Sequence, residues 1–544
     1  MNDSVESSIL PNEANLVYGS CGHEFDERRG DILAKTIGGF GKWQCKIVVL
    51  MSLLKMPIAW VQLGVVFIAP STEFWCKPPP QFANLSVREW KAMISIEGQH
   101  LQNISEASKS CYMKNVVDIN SEDSIIPCKW GYEYNRTEMS STIIMDWDLV
   151  CDKSIWVEII QMSVMFAILL GMTIFGPTPD KFGRKCVLMI SIWLQTLFGL
   201  ASVISPWFFG FFIFRFLSAF TSSGIMIVSF VICIEVATSA WRSAIIILHL
   251  IPFGLGFSFM GLLAYFIRDW RILLIVQYVC CLLFFSYHWF IPESPRWLLA
   301  VDRKEEAIEI LEHAAKVNGM ETSSIRKVVG NYHYVDPEKH MILKALQKYP
   351  KFRGRAVFLS LNWLTMGCLY YGLYQLSGTL SADIYATVIT VGFISIPSNL
   401  VAVFIVRKYG RKYTLAFSCL FTGLCLLAIL AIPRDSYFSI EILVFGCAMF
   451  GLIILYSVTH LFTGELYPTT LRNSASGMNM MFAKIGGMVS PFIIGLEKVE
   501  WYAPFVTFGV IAVLMPLLLI PLPETKNTEM PELVDDIERP GSGT

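Results

Sequence analysis

The sequence predicts an all-α membrane protein of twelve transmembrane helices in two parallel six-helix halves. Three observations carry that expectation: an apolar composition, a series of apolar windows of spanning length, and motifs that recur at nearly one offset. Of 544 residues, 54% are hydrophobic and 16% charged, with a mean hydropathy of +0.52, against about 25% charged in soluble domains. Water cannot solvate such a surface, so the lipid bilayer is the expected solvent. Ordinary counts of Gly (37) and Pro (25) exclude collagen-like and low-complexity chains. The balance of 43 basic and 44 acidic residues leaves no field to draw nucleic acid, which is not expected as a partner.

Windows of about 20 apolar residues, the length a bilayer demands, centre near residues 58, 166, 195, 220, 255, 281, 366, 394, 423, 451, 485 and 512. Residues 1–46 are polar, hold no signal-peptide core, and read as a cytoplasmic segment ahead of a first helix at 47–69. A long loop at 70–155 follows, then helices 2–6 within 156–291, a second long loop at 292–354, helices 7–12 within 355–522 and a tail at 523–544. Lys181, Arg184 and Lys185, then Arg242, the stretch from Arg296 to Arg355, the group Arg407, Lys408, Arg411 and Lys412, and finally Arg472 all fall on alternate connections. The positive-inside rule makes that side and both termini cytoplasmic, and the expected location is the plasma membrane. Glu305, Glu306 and the alanines after them give the second long loop an amphipathic helical pattern.

The first long loop belongs outside. It holds Cys76, Cys111, Cys128 and Cys151, an even set that predicts two disulfides in one of three pairings. It also holds three glycosylation triplets, at Asn84, Asn103 and Asn135.

Phe182-Gly-Arg-Lys185 returns as Tyr409-Gly-Arg-Lys412, Glu235-x6-Arg242 as Glu465-x6-Arg472, and Pro292-Glu-Ser as Pro523-Glu-Thr, at offsets of 227, 230 and 231 residues. Each copy ends the equivalent span at the same side, so the halves are parallel repeats. Such repeats are a transporter architecture with its substrate site at mid-membrane between them.

Gly176-x3-Asp180-Lys-Phe-Gly-Arg-Lys185 resembles the signature loop of the major facilitator superfamily. The Cys- and sequon-bearing loop, Trp147-Asp-Leu-Val-Cys-Asp152, Asn362-Trp363, Tyr370-Tyr-Gly-Leu373, Glu465-Leu-Tyr-Pro-Thr-Thr-Leu-Arg472 and Pro523-Glu-Thr-Lys526 resemble the organic cation, organic anion and carnitine transporters (solute carrier family twenty-two) within it. The resemblance runs from about residue 40 to 527 and implies transport of a small organic ion by alternating access. The chain departs from the pattern at Arg407, where the second copy of the loop would carry its Asp.

Lys484 is the deepest expected charge, near the middle of the eleventh span, with small neighbours and no obvious carboxylate partner. The resemblance places a basic residue there in anion and carnitine carriers and an acidic one in cation carriers, so a lean to anions or carnitine-like zwitterions follows. A second basic position of the anion carriers is Asn399 here. Gln62, Trp363, Tyr370, Tyr371, Tyr456 and His460 match the family's cavity positions; aromatic faces also suit an organic cation, the alternative substrate class. Lys55 in the first span is a further candidate cation, but it lies towards the cytoplasmic side and is expected to snorkel to that edge; His249, Gln277 and Arg215 take no substrate role. Asp180, Arg184, Glu235, Arg242, Arg411, Glu465 and Arg472 are expected to gate the cytoplasmic side through contacts between the halves. With no HExxH, Walker loop or Cys/His ligand cluster, neither an enzyme, a cofactor nor a metal is expected. A non-transporting solute sensor on the same fold is the remaining alternative.

Overall fold

The structure, a computed structural model, describes residues 32–70, 72–95, 110–115, 125–330, 342–380, 383–432, 438–468 and 471–526, with Val534 and Ile537. Asn103 lies outside them. Among the described residues, eleven helices are long and apolar enough to cross a membrane. In order they are Lys42–Leu63, Cys151–Phe182, Arg184–Ile204, Phe208–Val236, Ala244–Phe266, Trp270–Phe290, Pro350–Leu376, Ile384–Tyr409, Arg411–Ala431, Ile440–Leu466 and Ser474–Lys498. The shorter apolar helix Ala503–Leu519 completes the twelve. In a bilayer every backbone group must bond internally, and helices do this within one segment.

Within the first half, the fourth span packs on the second and third; within the second half, the tenth packs on the ninth and the eleventh on the seventh. The halves meet along two seams, second span on eleventh and fifth on eighth. Small residues bring these helices together. A Cβ at Gly254 would stand 2.3 Å from Ser395 Oγ, and Ser258 Oγ donates across the fifth–eighth seam to the Ile389 carbonyl at 2.8 Å. The helix of the first span is interrupted at Leu54 between Leu53 and Lys55, because Pro57 offers no N–H to the Leu53 carbonyl.

The long loop between the first two spans carries two antiparallel strand pairs. β1 (Phe74–Cys76) pairs with β4 (Tyr132–Tyr134), and β2 (Tyr112–Lys114) with β3 (Ile125–Pro127). Disulfides Cys76–Cys128 and Cys111–Cys151 select one of the three pairings the sequence left open. Trp90 fills the small core and donates its Nε1 proton to the Cys76 carbonyl at 2.8 Å. The loop is anchored to both halves. Asp146 pairs with Arg271 at 3.2 Å at the start of the sixth span, and Tyr385 of the eighth span donates to the Glu138 carbonyl at 3.1 Å. Asn84 is exposed. Asn135 is half-buried and donates to Glu73 Oε2 at 3.2 Å. Hydrogen bonds from Lys91 first, then Asn135, hold the Glu73 carboxyl below its ordinary range.

At the opposite end, the second long loop folds into short helices, including Lys304–Asn318. Asn318 holds the start of the first span, accepting from the Trp43 backbone N–H at 3.0 Å and donating to Gln44 Oε1 at 2.8 Å.

Candidate functional site

Lys484 lies inside the bundle, 3% exposed, between the two halves. Its amine donates to Gln62 Oε1 of the first span at 3.3 Å and to the hydroxyl of Tyr371 on the seventh. It also sits 4.4 Å from the centre of the Tyr371 ring, a cation–π contact. Both hydrogen-bond partners are neutral. Among the described residues no carboxylate forms an ion pair with it. Gln62 is itself fixed, its carbonyl accepting from Gln161 Nε2 at 2.7 Å. Lys484 reaches Tyr371 because the seventh and eleventh spans touch backbone to backbone at Gly367 and Gly486.

The remaining expected cavity residues form one aromatic wall. Tyr370 stacks on Tyr456 at 4.0 Å between ring centres, Tyr456 meets His460 at 4.5 Å, and His460 meets Trp363 edge-on at 4.6 Å. Trp363 is oriented by its Nε1–H donating to Thr463 Oγ1 at 2.8 Å. The wall crosses between halves where Phe253 of the fifth span meets Tyr370 at 5.9 Å and Phe257 meets Tyr374 at 5.1 Å. Tyr456 and His460 keep partial exposure, so the wall borders accessible space. All seven residues expected to bind substrate thus fall in one cluster. Asn399 does not join it, because its amide is spent on Ser395 O and Ser457 Oγ at 2.7 and 2.5 Å.

Two expectations are corrected. Lys55 does not snorkel: it is 6% exposed, because it opens the stretch Lys55–Leu63, which is buried on nearly every side. Nor do the signature-loop arginines bridge the halves. Arg184 binds Asp180 at 2.8 Å and Glu235 at 2.9 Å, and Arg411 binds Glu465 through two bonds of 2.6 and 2.8 Å, each within its own half. The fourth and tenth spans, which end in these glutamates, pack directly on the third and ninth, which begin with the arginines.

The three repeated motifs therefore converge on one clasp per half. Glu293 accepts from the Arg184 and Lys185 backbone N–H groups at 3.0 and 3.1 Å, and Glu524 from those of Arg411 and Lys412, both at 2.9 Å. A carboxylate at a helix N-terminus satisfies orphan N–H groups and complements the dipole. Gly183 and Gly410 make the turns at φ of 95° and 93°, and a Cβ there would strike the same carboxylates. Arg472 lies in the electrostatic field of both Glu465 and Arg242, so the loops of the two halves face each other at this end.

An ion pair that joins the halves was not read from the sequence. Lys498, ending the eleventh span, binds Glu158 at the start of the second at 2.6 Å, at the long-loop end. Two charges at span edges were its only trace.

Residues 101–535 match the sugar (and other) transporter family. The chain belongs to that family. An organic cation transporter protein of Drosophila melanogaster is 30% identical, with 93% of this chain and 94% of the relative covered. Organic cation/carnitine transporter 2 of Homo sapiens is 28% identical with 94% of each covered, and solute carrier family 22 member 7 of Rattus norvegicus is 29% identical with 94% and 98% covered. Within the larger family the chain is thus a member of the organic cation and carnitine transporter group, solute carrier family 22. Its fold is that of the inward-open xylose transporter XylE from E. coli, with a TM-score of 0.63 at 16% identity over 91% of this chain and 100% of that one. The protein is a multi-pass membrane transporter of the major facilitator fold, not an enzyme.

Proposed function

We propose that this transporter carries small organic anions or zwitterions across the plasma membrane by alternating access, with both termini cytoplasmic and the glycosylated long loop outside. The observation that carries this reading is Lys484: a buried cation held by a neutral amide and a phenol. Desolvating a lone ammonium costs several kcal/mol, which an approaching carboxylate offsets. The aromatic wall of Trp363, Tyr370, Tyr371, Tyr456 and His460 holds the organic body of the substrate through its faces. The two clasps keep each half rigid as the halves rock. Arg242 and Arg472 then face across the cytoplasmic gap, and glycans sit on Asn84, Asn103 and Asn135.

The second reading is an organic cation carrier. The stacked Tyr370–Tyr456 pair and the ammonium already lying over Tyr371 favour it, since these faces accept positive charge.

Uptake of labelled benzoate, carnitine and tetraethylammonium by cells expressing wild type and Lys484→Asp separates the two. The expected result is benzoate or carnitine uptake that Lys484→Asp abolishes at equal surface level. Tetraethylammonium uptake that survives the change, without benzoate or carnitine uptake in wild type, rejects the anion reading.

A further inference from the structure

The first span carries a second buried cation that the cluster around Lys484 does not use. Lys55 is 94% shielded, and among the described residues neither a hydrogen bond nor an ion pair reaches it. It precedes Gln62 by seven positions, two helical turns or about 10 Å along the axis, so both lie on one face of the span. Gln62 is the residue that holds the Lys484 amine. Because the span runs from the basic-loop end to the long-loop end, Lys55 is the nearer of the two to the basic loops.

Among the described residues, the titratable groups that share an electrostatic interaction with it are Cys233, His249, His460 and Lys484, and none is a carboxylate. Nor is His249 an anion in disguise. Ser52 Oγ gives its one proton to the Val48 carbonyl at 2.7 Å, so the 2.9 Å contact with His249 Nδ1 assigns the proton to that nitrogen. A ring with that proton carries no negative charge, and its Nε2 is buried without a partner. A buried ammonium with no counter-charge is costly to keep, and the repulsion between Lys55 and Lys484 raises that cost.

We infer that Lys55 is a second anion station, and that the substrate carboxylate passes between Lys484 and Lys55 on its way to or from the basic-loop end. The ligand class is an organic molecule with one carboxylate, small enough that its charged end can move by two helical turns while its body stays against the aromatic wall. A carboxylate between the two lysines screens their mutual repulsion, so each station lowers the barrier to leaving the other. This inference rests on the anion reading of Lys484.

Kinetics from both sides test it, with labelled benzoate as probe: uptake into cells for the long-loop side and efflux from preloaded cells for the other. Lys55→Gln is expected to leave the uptake KM within about twofold and to raise the efflux KM by about 10-fold or more, and Lys55→Arg is expected to restore it. Equal shifts on both sides overturn the inference by making the two lysines one site, and no shift on either side overturns it by making Lys55 structural. Wild-type cells that take up tetraethylammonium but no benzoate reject the reading of Lys484 itself, a result read before any Lys55 variant is measured.

Discussion

Replacing Gly486 with alanine tests how closely the seventh and eleventh spans must approach for Lys484 to reach Tyr371. A Cβ at position 486 would stand 1.9 Å from the Leu364 carbonyl oxygen and 2.8 Å from the Cys368 nitrogen, both backbone atoms that no rotamer change can move. Ordinary van der Waals contact begins near 3.4 Å, so the helices must part by about 1.5 Å. Overpacking of this kind costs about 1–3 kcal/mol. The displacement falls two residues from Lys484 and is enough to take its hydrogen bond to Tyr371 past useful length. Gly477 on the same helix has nothing within 4 Å of its would-be Cβ, so Gly477→Ala is expected to gain about 0.5–1 kcal/mol from helix propensity alone. Thermal unfolding of the purified protein and substrate uptake are the readouts. Gly486→Ala lowers the midpoint and the uptake, whereas Gly477→Ala holds or raises the midpoint and keeps uptake. Matching behaviour of the two variants would refute the argument that backbone contact positions the lysine.

Breaking the strut between the halves biases their rocking. The Lys498 side chain is 48% exposed and that of Glu158 12%, so the pair is worth about 0.2–1 kcal/mol, and Glu158→Gln shifts the equilibrium towards opening at the long-loop end by about 1.4–5-fold. The rate at which a polar maleimide labels Met165→Cys, beside Gly487 in that seam, reports the shift; an unchanged rate would count against a gating role. The clasps are unequal as well. Arg184 has two carboxylate partners, Asp180 and Glu235, whereas Arg411 has Glu465 alone among the described residues. Glu465→Gln strands a largely buried guanidinium, at about 3–5 kcal/mol, and is expected to lower the unfolding midpoint more than Glu235→Gln; equal losses would show that Asp180 contributes nothing.

The spans were legible because a bilayer imposes length and apolarity on each helix separately, a constraint that a window of sequence contains. Lys484 was legible for the same reason, as a charge where local context forbids one. Its partners were suggested only by resemblance, since Gln62 lies 422 residues away and Tyr371 lies 113 away, and no local pattern encodes such a meeting. The repeated motifs were read correctly as pairs, but their partners were assigned to the wrong interface. Offsets within the sequence show that Arg184 and Arg411 correspond; they do not show that each is consumed by a glutamate of its own half. Lys55 was misread because edge and interior of a span differ by a turn or two, and the packing around Lys55–Leu63 decides which applies. The disulfide pairing is a tertiary outcome: the β2–β3 register sets Cys111 beside Cys128, yet Cys128 bonds Cys76 and Cys111 bonds Cys151, and neither cysteine counting nor strand pairing supplies that.

The carboxylates that cap the third and ninth helices also set an order of assembly. Each clasp needs an arginine that leads the third helix of its half and a glutamate that follows the sixth, more than a hundred residues later. The first can close once residue 293 has left the ribosome, before the spans of the second half have emerged. The second waits for Glu524, beyond the twelfth helix. Until then the ninth helix holds its leading N–H groups open beneath an already fastened twin, and only a chain that has passed its twelfth helix can fasten both.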